Sequence, residues 1–464
     1  MVNPIEQGAR PLVQPPWLDD AARARLRERA GVGRLASVTV EVDPGLDLAA
    51  AVMAARRPTD RWFCFEQPDR DGYAVCGLGA AAVVEARGHD RFHEVAEACR
   101  RLGRAARYDD VALPGAGPVF VGGFAFAAAG GGTPEWEPFA PAQMVLPELS
   151  FARQGGRAAL TVTAMGDPDP VLARLAELRV ASMPLIDPDP AVPPRVVSEA
   201  PPEHFEEAVR RATERIRAGE LDKLVLARIV RVHASHPHDP AALFGALRDV
   251  FPSCFTYCVG APGAAFVGAS PELLVRREGA RAQTVALAGT TRRSADPAVD
   301  DHLGEQLLTS AKNRVEQAIV ARRIERALDP ISVWVTVADR PVLVKVHNVQ
   351  HLGTPIRAQL AEPLPALEVA GRLHPTPAVG GEPLEQAARL IPALEGIDRG
   401  WYAGTVGWTD LEEDGEFCVA IRCALLRGEV AHLFAGNGIV ADSDPADELA
   451  ETEAKLQALL PLLA

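Results

Sequence analysis

Three charged side chains near the C-terminus fall on one helical face: Glu448, Glu451 and Lys455, at i, i+3 and i+7. Two carboxylates one turn apart suit a hard divalent cation such as Mg2+, which prefers oxygen ligands and keeps much of its water. The same spacing also describes a solvated face with a Glu451–Lys455 ion pair, and spacing alone leaves both readings open. The preceding stretch, FAGNGIVADSDP, ends a strand with two glycines, where backbone can approach a ligand closely. Glu316 lies with Lys312 and Arg314 on another helical stretch and joins a metal set only where it faces Glu448 and Glu451. Arg422 sits inside the apolar run CVAIRCALL. A buried charge there needs compensation, either in an ion pair or by holding a substrate carboxylate in its planar fork. Lys223 opens the strand-like LDKLVLAR, and Glu272 follows the turn Gly268-Ala269-Ser270-Pro271. Brought together they make a base and an acid. Apart they are a strand-edge lysine and a turn carboxylate.

Several other chemistries are excluded. There is no HExxH and no histidine or cysteine cluster for a softer metal. No GxGxxG leads a strand into a helix, and no Walker-type loop is present. The seven cysteines (64, 76, 99, 254, 258, 418, 423) contain no CxxC, and the CxxxC of Cys254 and Cys258 reads as buried thiols in a reducing compartment. The formal net charge of −14 excludes a general binder of nucleic acid or anionic membrane. It also means that an anionic substrate needs local cations or a metal. The most apolar run, 119–129, is too short to span a bilayer, and the N-terminus lacks the pattern of a secretory signal. The expectation is a soluble cytoplasmic enzyme with a small-molecule substrate.

The elements that position these groups follow from pattern. Residues 184–202 hold seven prolines and read as a stiff, extended connection. Before it, 120–126, 145–151 and 158–164 read as strands. After it, Phe205, Val209, Ala212 and Ile216 share a helical face that Gly219 ends. Strands are expected at 223–232, 255–259, 265–267, 273–276, 282–287, 333–337, 343–346, 404–409, 417–426 and 430–434. One long helix is expected over 300–327. Asp239-Pro240 and Asp444-Pro445 read as capped helix starts. Adjacent strands with interspersed helices predict an α+β sandwich of mainly antiparallel sheets, not βαβ alternation.

Taken in order, nine strings resemble the chorismate-using enzymes: the isochorismate, salicylate, anthranilate and aminodeoxychorismate synthases. They are KLVLAR (223–228), GASPELLV (268–275), ALAGT (286–290), KNRVEQAIV (312–320), NVQHLGT (348–354), LHPTPAVGG (373–381), DRGWYAG (398–404), AIRCALL (420–426) and AGNGIVADSDPADELAETEAKL (435–456). The resemblance covers 203–460 almost without gaps. Residues 1–200 match less specifically, through GGFAF, the Trp136 loop and LPELSF. It implies one integrated unit, a layered sandwich of two subdomains around a deep site.

Within that family the pattern is similar to the isochorismate synthases. Ammonia-using members differ where Lys223 stands, aminodeoxychorismate synthases often carry lysine where Ala288 stands, and salicylate synthases depart from HPTPA. The long N-terminal half resembles the menaquinone-pathway type more than the shorter siderophore type. The resemblance implies Lys223 as the base that activates water toward C2 of chorismate and Glu272 as the acid that protonates the departing C4 hydroxyl. It implies Glu316 and Glu451 as Mg2+ ligands, with Glu448 supporting through water. Arg422, Tyr402, Lys455 and the backbone at Gly436 and Gly438 would hold the enolpyruvyl carboxylate. Gly289 would lie against the ring hydroxyl, and His351 and Thr376 would line the pocket. No glutaminase partner is implied, and the chain is expected to be a monomer or weak homodimer. Gln317 and Asn437 depart from the residues usual in relatives, His and Ala.

Overall fold

The computed structural model describes residues 17–187, 192–347 and 349–463. The expectations for residues 1–16, for the proline-rich positions 188–191 and for Asn348 lie outside the described residues.

Two antiparallel sheets, of twelve and ten strands, carry the fold among the described residues. With the helices around them they form the α+β sandwich read from the sequence. Strands from both sides of the proline-rich seam interleave in each sheet. Trp62–Gln67 pairs with Phe255–Ala261 in the larger sheet, and Val119–Phe124 pairs with Thr405–Asp410 in the smaller. The main apolar core joins both sheets to the helices Arg91–Gly103, Ala311–Leu328 and Ala366–Leu373. A second core packs the other face of the larger sheet under the helices Asp20–Arg29, Leu48–Ala55 and Pro240–Val250.

The strand Lys223–His233 illustrates why both faces are apolar. Side chains alternate across a strand. Ala227 and Ile229 enter the central core, whereas Leu224 and Leu226 pack with the helices Pro202–Arg217 and Leu384–Glu395. Its outer edge pairs with Gly381–Glu382 at one end and Arg195–Ser198 at the other. Between them a buried ion pair takes over the ladder. Ala227 N donates to Glu395 Oε1 at 2.7 Å, and Arg399 donates to Val225 O at 2.9 Å. Strand backbone groups that would otherwise be buried without partners are thereby satisfied.

Four expected elements divide differently. The helix expected over 300–327 is two, Pro297–Thr309 and Ala311–Leu328. Ser310 breaks it: its extended backbone ends the first helix, and its Oγ caps the second by accepting from Asn313 N at 3.3 Å. The strand expected at 145–151 splits at Pro147, which cannot donate to a ladder. Ala142–Leu146 belongs to the smaller sheet and Leu149–Gln154 to the larger. The strand expected at 417–426 likewise splits into Gly415–Val419 and Cys423–Arg427, one in each sheet. Arg422 therefore lies in the crossing, not inside a strand, with φ at 52°. The connection 184–202 is not extended coil throughout, because Arg195–Ser198 is a paired strand.

Candidate active site

One cavity gathers residues from both sheets and from two helices. Val225, Ala435, Gly436 and Gly438 come from the larger sheet, and Leu287–Thr290 and His351 from the smaller (positions 287–290 and 351). The helix Ala311–Leu328 contributes Lys312, Asn313 and Glu316, and the helix Pro445–Leu456 contributes Glu448, Glu451 and Lys455. Asp444 caps that last helix by accepting from Ala446 N at 3.0 Å, as its sequence announces.

Lys223 lies beneath the lining, fully buried, with Nζ 2.8 Å from Glu316 Oε1. The pairing is one of charge, since no aligned hydrogen bond forms there. A Cβ at position 438 would stand 2.6 Å from Lys223 Cε and 2.5 Å from Glu316 Oε1, so only glycine leaves room for the pair. Glu272 lines the cavity and is 4% exposed. Its backbone is pinned by Ser270 Oγ, which accepts from Glu272 N, and by Val419 N, which donates to Glu272 O. Burial pushes the Glu272 carboxyl up to about 8, and the nearby Lys223 charge offsets only part of that. A carboxylic acid that remains protonated at neutral pH is a proton donor.

The other three carboxylates each face a lysine. Besides Lys223–Glu316, Lys312 Nζ lies 3.3 Å from Glu448 Oε1 and Lys455 Nζ lies 2.8 Å from Glu451 Oε1. The Glu451–Lys455 pair expected of a solvated face does form, but it lines the cavity. Burial, with repulsion from Glu451, raises Glu448 despite its bonds to Ser443 and Lys312. Burial acts on Glu451 in the same sense, yet Lys455, Lys312 and Arg422 outweigh it and hold that carboxyl below the usual range.

Arg422 faces the cavity with Nη1 buried and without a hydrogen-bond partner, and burial lowers its pKa. An unfilled guanidinium nitrogen beside a cavity is an anion acceptor in waiting. Lys455 differs: its ammonium already contacts Gly436 O, Asn437 Oδ1 and Glu451 Oε1. Tyr402 stacks on Phe434 with ring centroids 5.0 Å apart and walls the same region.

His351 is held neutral, its pKa lowered to about 3 by burial and by the Arg422 and Lys455 charges. Its Nδ1 lies 3.0 Å from Thr290 Oγ1 and 3.3 Å from Gly289 O, so that edge of the ring is tied to the bulged strand. Its Nε2 is buried without a hydrogen-bond partner. Gly289 occupies a bulge with φ at 71°, where a side chain would be strained and its Cβ would sit 3.0 Å from Asn313 Oδ1. Thr376 does not line the cavity. Ala378 and Val379 take that place, and Thr376 O anchors their loop by accepting from Gly380 N at 2.9 Å. The sequence reading missed Asn313, Thr290 and the Glu395–Arg399 clamp. The clamp had a signal, a Glu four residues before an Arg in the DRGWYAG region.

No three His, Cys, Asp or Glu side chains among the described residues converge into a ready metal cage. The donor set nonetheless suits a hard cation. Mg2+ takes one or two carboxylates and keeps waters, and the repulsion between Glu448 and Glu451 is what a cation between them would relieve. The seven cysteines are all free and buried, and no helix among the described residues is long and apolar enough to cross a membrane.

Comparison with known proteins agrees with this geometry. Over residues 21–464 the chain matches the family described as "Chorismate binding enzyme", and it belongs to that family. Its relatives within the family include isochorismate synthases. It is 34% identical over 420 residues to isochorismate synthase MenF of Bacillus subtilis, covering 88% of this chain and 89% of that one. It is 36% identical over 440 residues to the salicylate biosynthesis isochorismate synthase of Pseudomonas aeruginosa, covering 93% and 90%. The menaquinone-specific isochorismate synthase MenF of Escherichia coli superposes with a TM-score of 0.79 at 26% identity, over 96% of this chain and 98% of that one.

Proposed function

We propose that the chain is an isochorismate synthase that converts chorismate to isochorismate with Mg2+ and without a glutaminase partner. The observation that carries this is a fully buried Lys223 beneath the cavity, near enough for its charge to act on the buried carboxyl of Glu272 that lines it. In the proposed reaction it is the neutral amine of Lys223, released from its charge pair with Glu316, that takes a proton from water as the oxygen bonds to C2. The ring double bonds shift, the C4–O bond breaks, and Glu272 gives its proton to the departing hydroxyl. One hydroxyl enters and one leaves, so the product is an isomer. Arg422 binds a carboxylate of the dianionic substrate, and the neutral His351 ring lines the pocket beside it. Glu316 and Glu451, with Glu448 behind them, would hold Mg2+, which when bound supplies positive charge to the ring carboxylate.

The match to the Bacillus MenF across both halves of the chain supports a long, menaquinone-type reading over the shorter DhbC and EntC type, and the salicylate-biosynthesis relative shares that length. The proposal is tested by incubating the purified chain with chorismate and Mg2+. Isochorismate as the main product is expected. Salicylate with pyruvate, or a requirement for ammonia, would overturn it.

A further inference from the structure

Asn437 lies between Gly436 and Gly438 on the strand Val430–Ile439 and is 1% exposed. It does not line the cavity, but its amide touches two groups that do. Nδ2 donates to Glu448 O at 2.6 Å and to Glu448 Oε2 at 3.1 Å. Oδ1 accepts from Lys455 Nζ at 2.7 Å. The amide has one workable orientation. Turned over, its NH2 would face an ammonium and its oxygen a carbonyl and a carboxylate.

The two charged groups it joins have different tasks under the proposed function. Glu448 is the carboxylate behind the metal. Lys455 steadies Glu451, the expected direct ligand, at 2.8 Å. A planar amide bonded to both fixes Glu448 and Glu451 relative to each other from the buried side, where water cannot replace it. Lys312 grips the opposite oxygen of Glu448, Oε1, from the cavity mouth, and its side chain is 44% exposed. Ser443 also bonds the Glu448 carboxyl, so what sets Asn437 apart is that it joins Glu448 to Lys455 from the buried side.

We propose that Asn437 is the positioning residue of this site, and that its amide sets the aim of both helix carboxylates toward a divalent cation. The inference rests on the reading of Glu448 and Glu451 as the metal-facing pair.

The test is a titration with Mn2+, read by electron paramagnetic resonance, alone and with chorismate present. No turnover is needed. Asn437→Ala is expected to weaken Mn2+ binding by about 10- to 100-fold, the usual effect of removing a group that orients metal ligands. Asn437→Leu, which fills the space without the amide, is expected to weaken it equally, and thermal melts confirm that each variant is folded. Combined with Glu448→Gln, Asn437→Ala is expected to add less than its effect alone, because only the part that runs through Lys455 to Glu451 remains. Binding within twofold of wild type in both folded variants, or full additivity with Glu448→Gln, would overturn the inference. A wild-type chain that binds no Mn2+ under either condition would instead overturn the metal reading beneath it.

Discussion

Lys223 Nζ and Glu316 Oε1 stand 2.8 Å apart beneath Gly438, so the proposed base and a proposed metal ligand share one buried contact. Any group that intrudes there moves both. Gly438→Ala would place a methyl inside van der Waals distance of each. We predict a fall in kcat of about 100-fold or more from the displacement of reacting groups, with a near-normal melting temperature. Steady-state kinetics beside a thermal melt checks it, and unchanged kcat would remove the packing argument.

Lys223→Gln leaves an uncharged polar side chain one atom shorter and removes the base. Loss of isochorismate formation by about 100- to 10,000-fold is expected, with chorismate binding retained in a calorimetric titration. Turnover like that of wild type would exclude Lys223 from water activation.

Glu272 sets the pH dependence. With its carboxyl near 8, the acid form dominates at neutral pH, and kcat/KM is expected to fall as pH rises through about 8. The same shift acts on stability. The folded state keeps the proton that the unfolded state loses near the ordinary glutamate range, so wild-type stability declines between that range and about pH 8 and then levels. Glu272→Gln lacks this decline. Its stability should exceed that of wild type increasingly across that window, by on the order of a few kcal/mol at its upper end, and its melting temperature should rise above wild type accordingly. Parallel melting curves at all pH values would contradict the buried, protonated state.

Much of the site was legible because it is carried by local strings. The capped helix from Asp444-Pro445 and the Glu448/Glu451/Lys455 face follow from spacing within one element. What was not legible depends on partners distant in the chain. Nothing near Lys455 in sequence says that its ammonium is shared among Gly436, Asn437 and Glu451, nor does LAGT reveal that His351 rests on Gly289 O. The Arg422 environment was misread for a related reason. An apolar run looks like one strand, yet the chain changes sheets at Ala420–Arg422 (positions 420–422), and that crossing turns the guanidinium to the cavity. Thr376, read as lining, is a backbone anchor instead.

Arg422 offers the partnerless guanidinium nitrogen described above. Arg422→Ala is predicted to raise KM for chorismate by about 10- to 100-fold, the cost of a charge-assisted bond, with a smaller effect on kcat. Arg422→Lys should not restore affinity, since an ammonium lacks the planar fork. Equal KM in wild type and Arg422→Ala would place the substrate carboxylate elsewhere.

EDTA is predicted to stop the reaction and excess Mg2+ to restore it. Turnover at an undiminished rate in EDTA would count against the roles of Glu316, Glu448 and Glu451 together.

The central claim is that water attacks C2 while the C4 oxygen leaves. Running the reaction in water enriched in 18O tests this most directly, by mass spectrometry of isochorismate at early turnover. The account predicts one labelled oxygen per product molecule, on C2. Isochorismate that carries the original C4 oxygen on C2, without label, would contradict it.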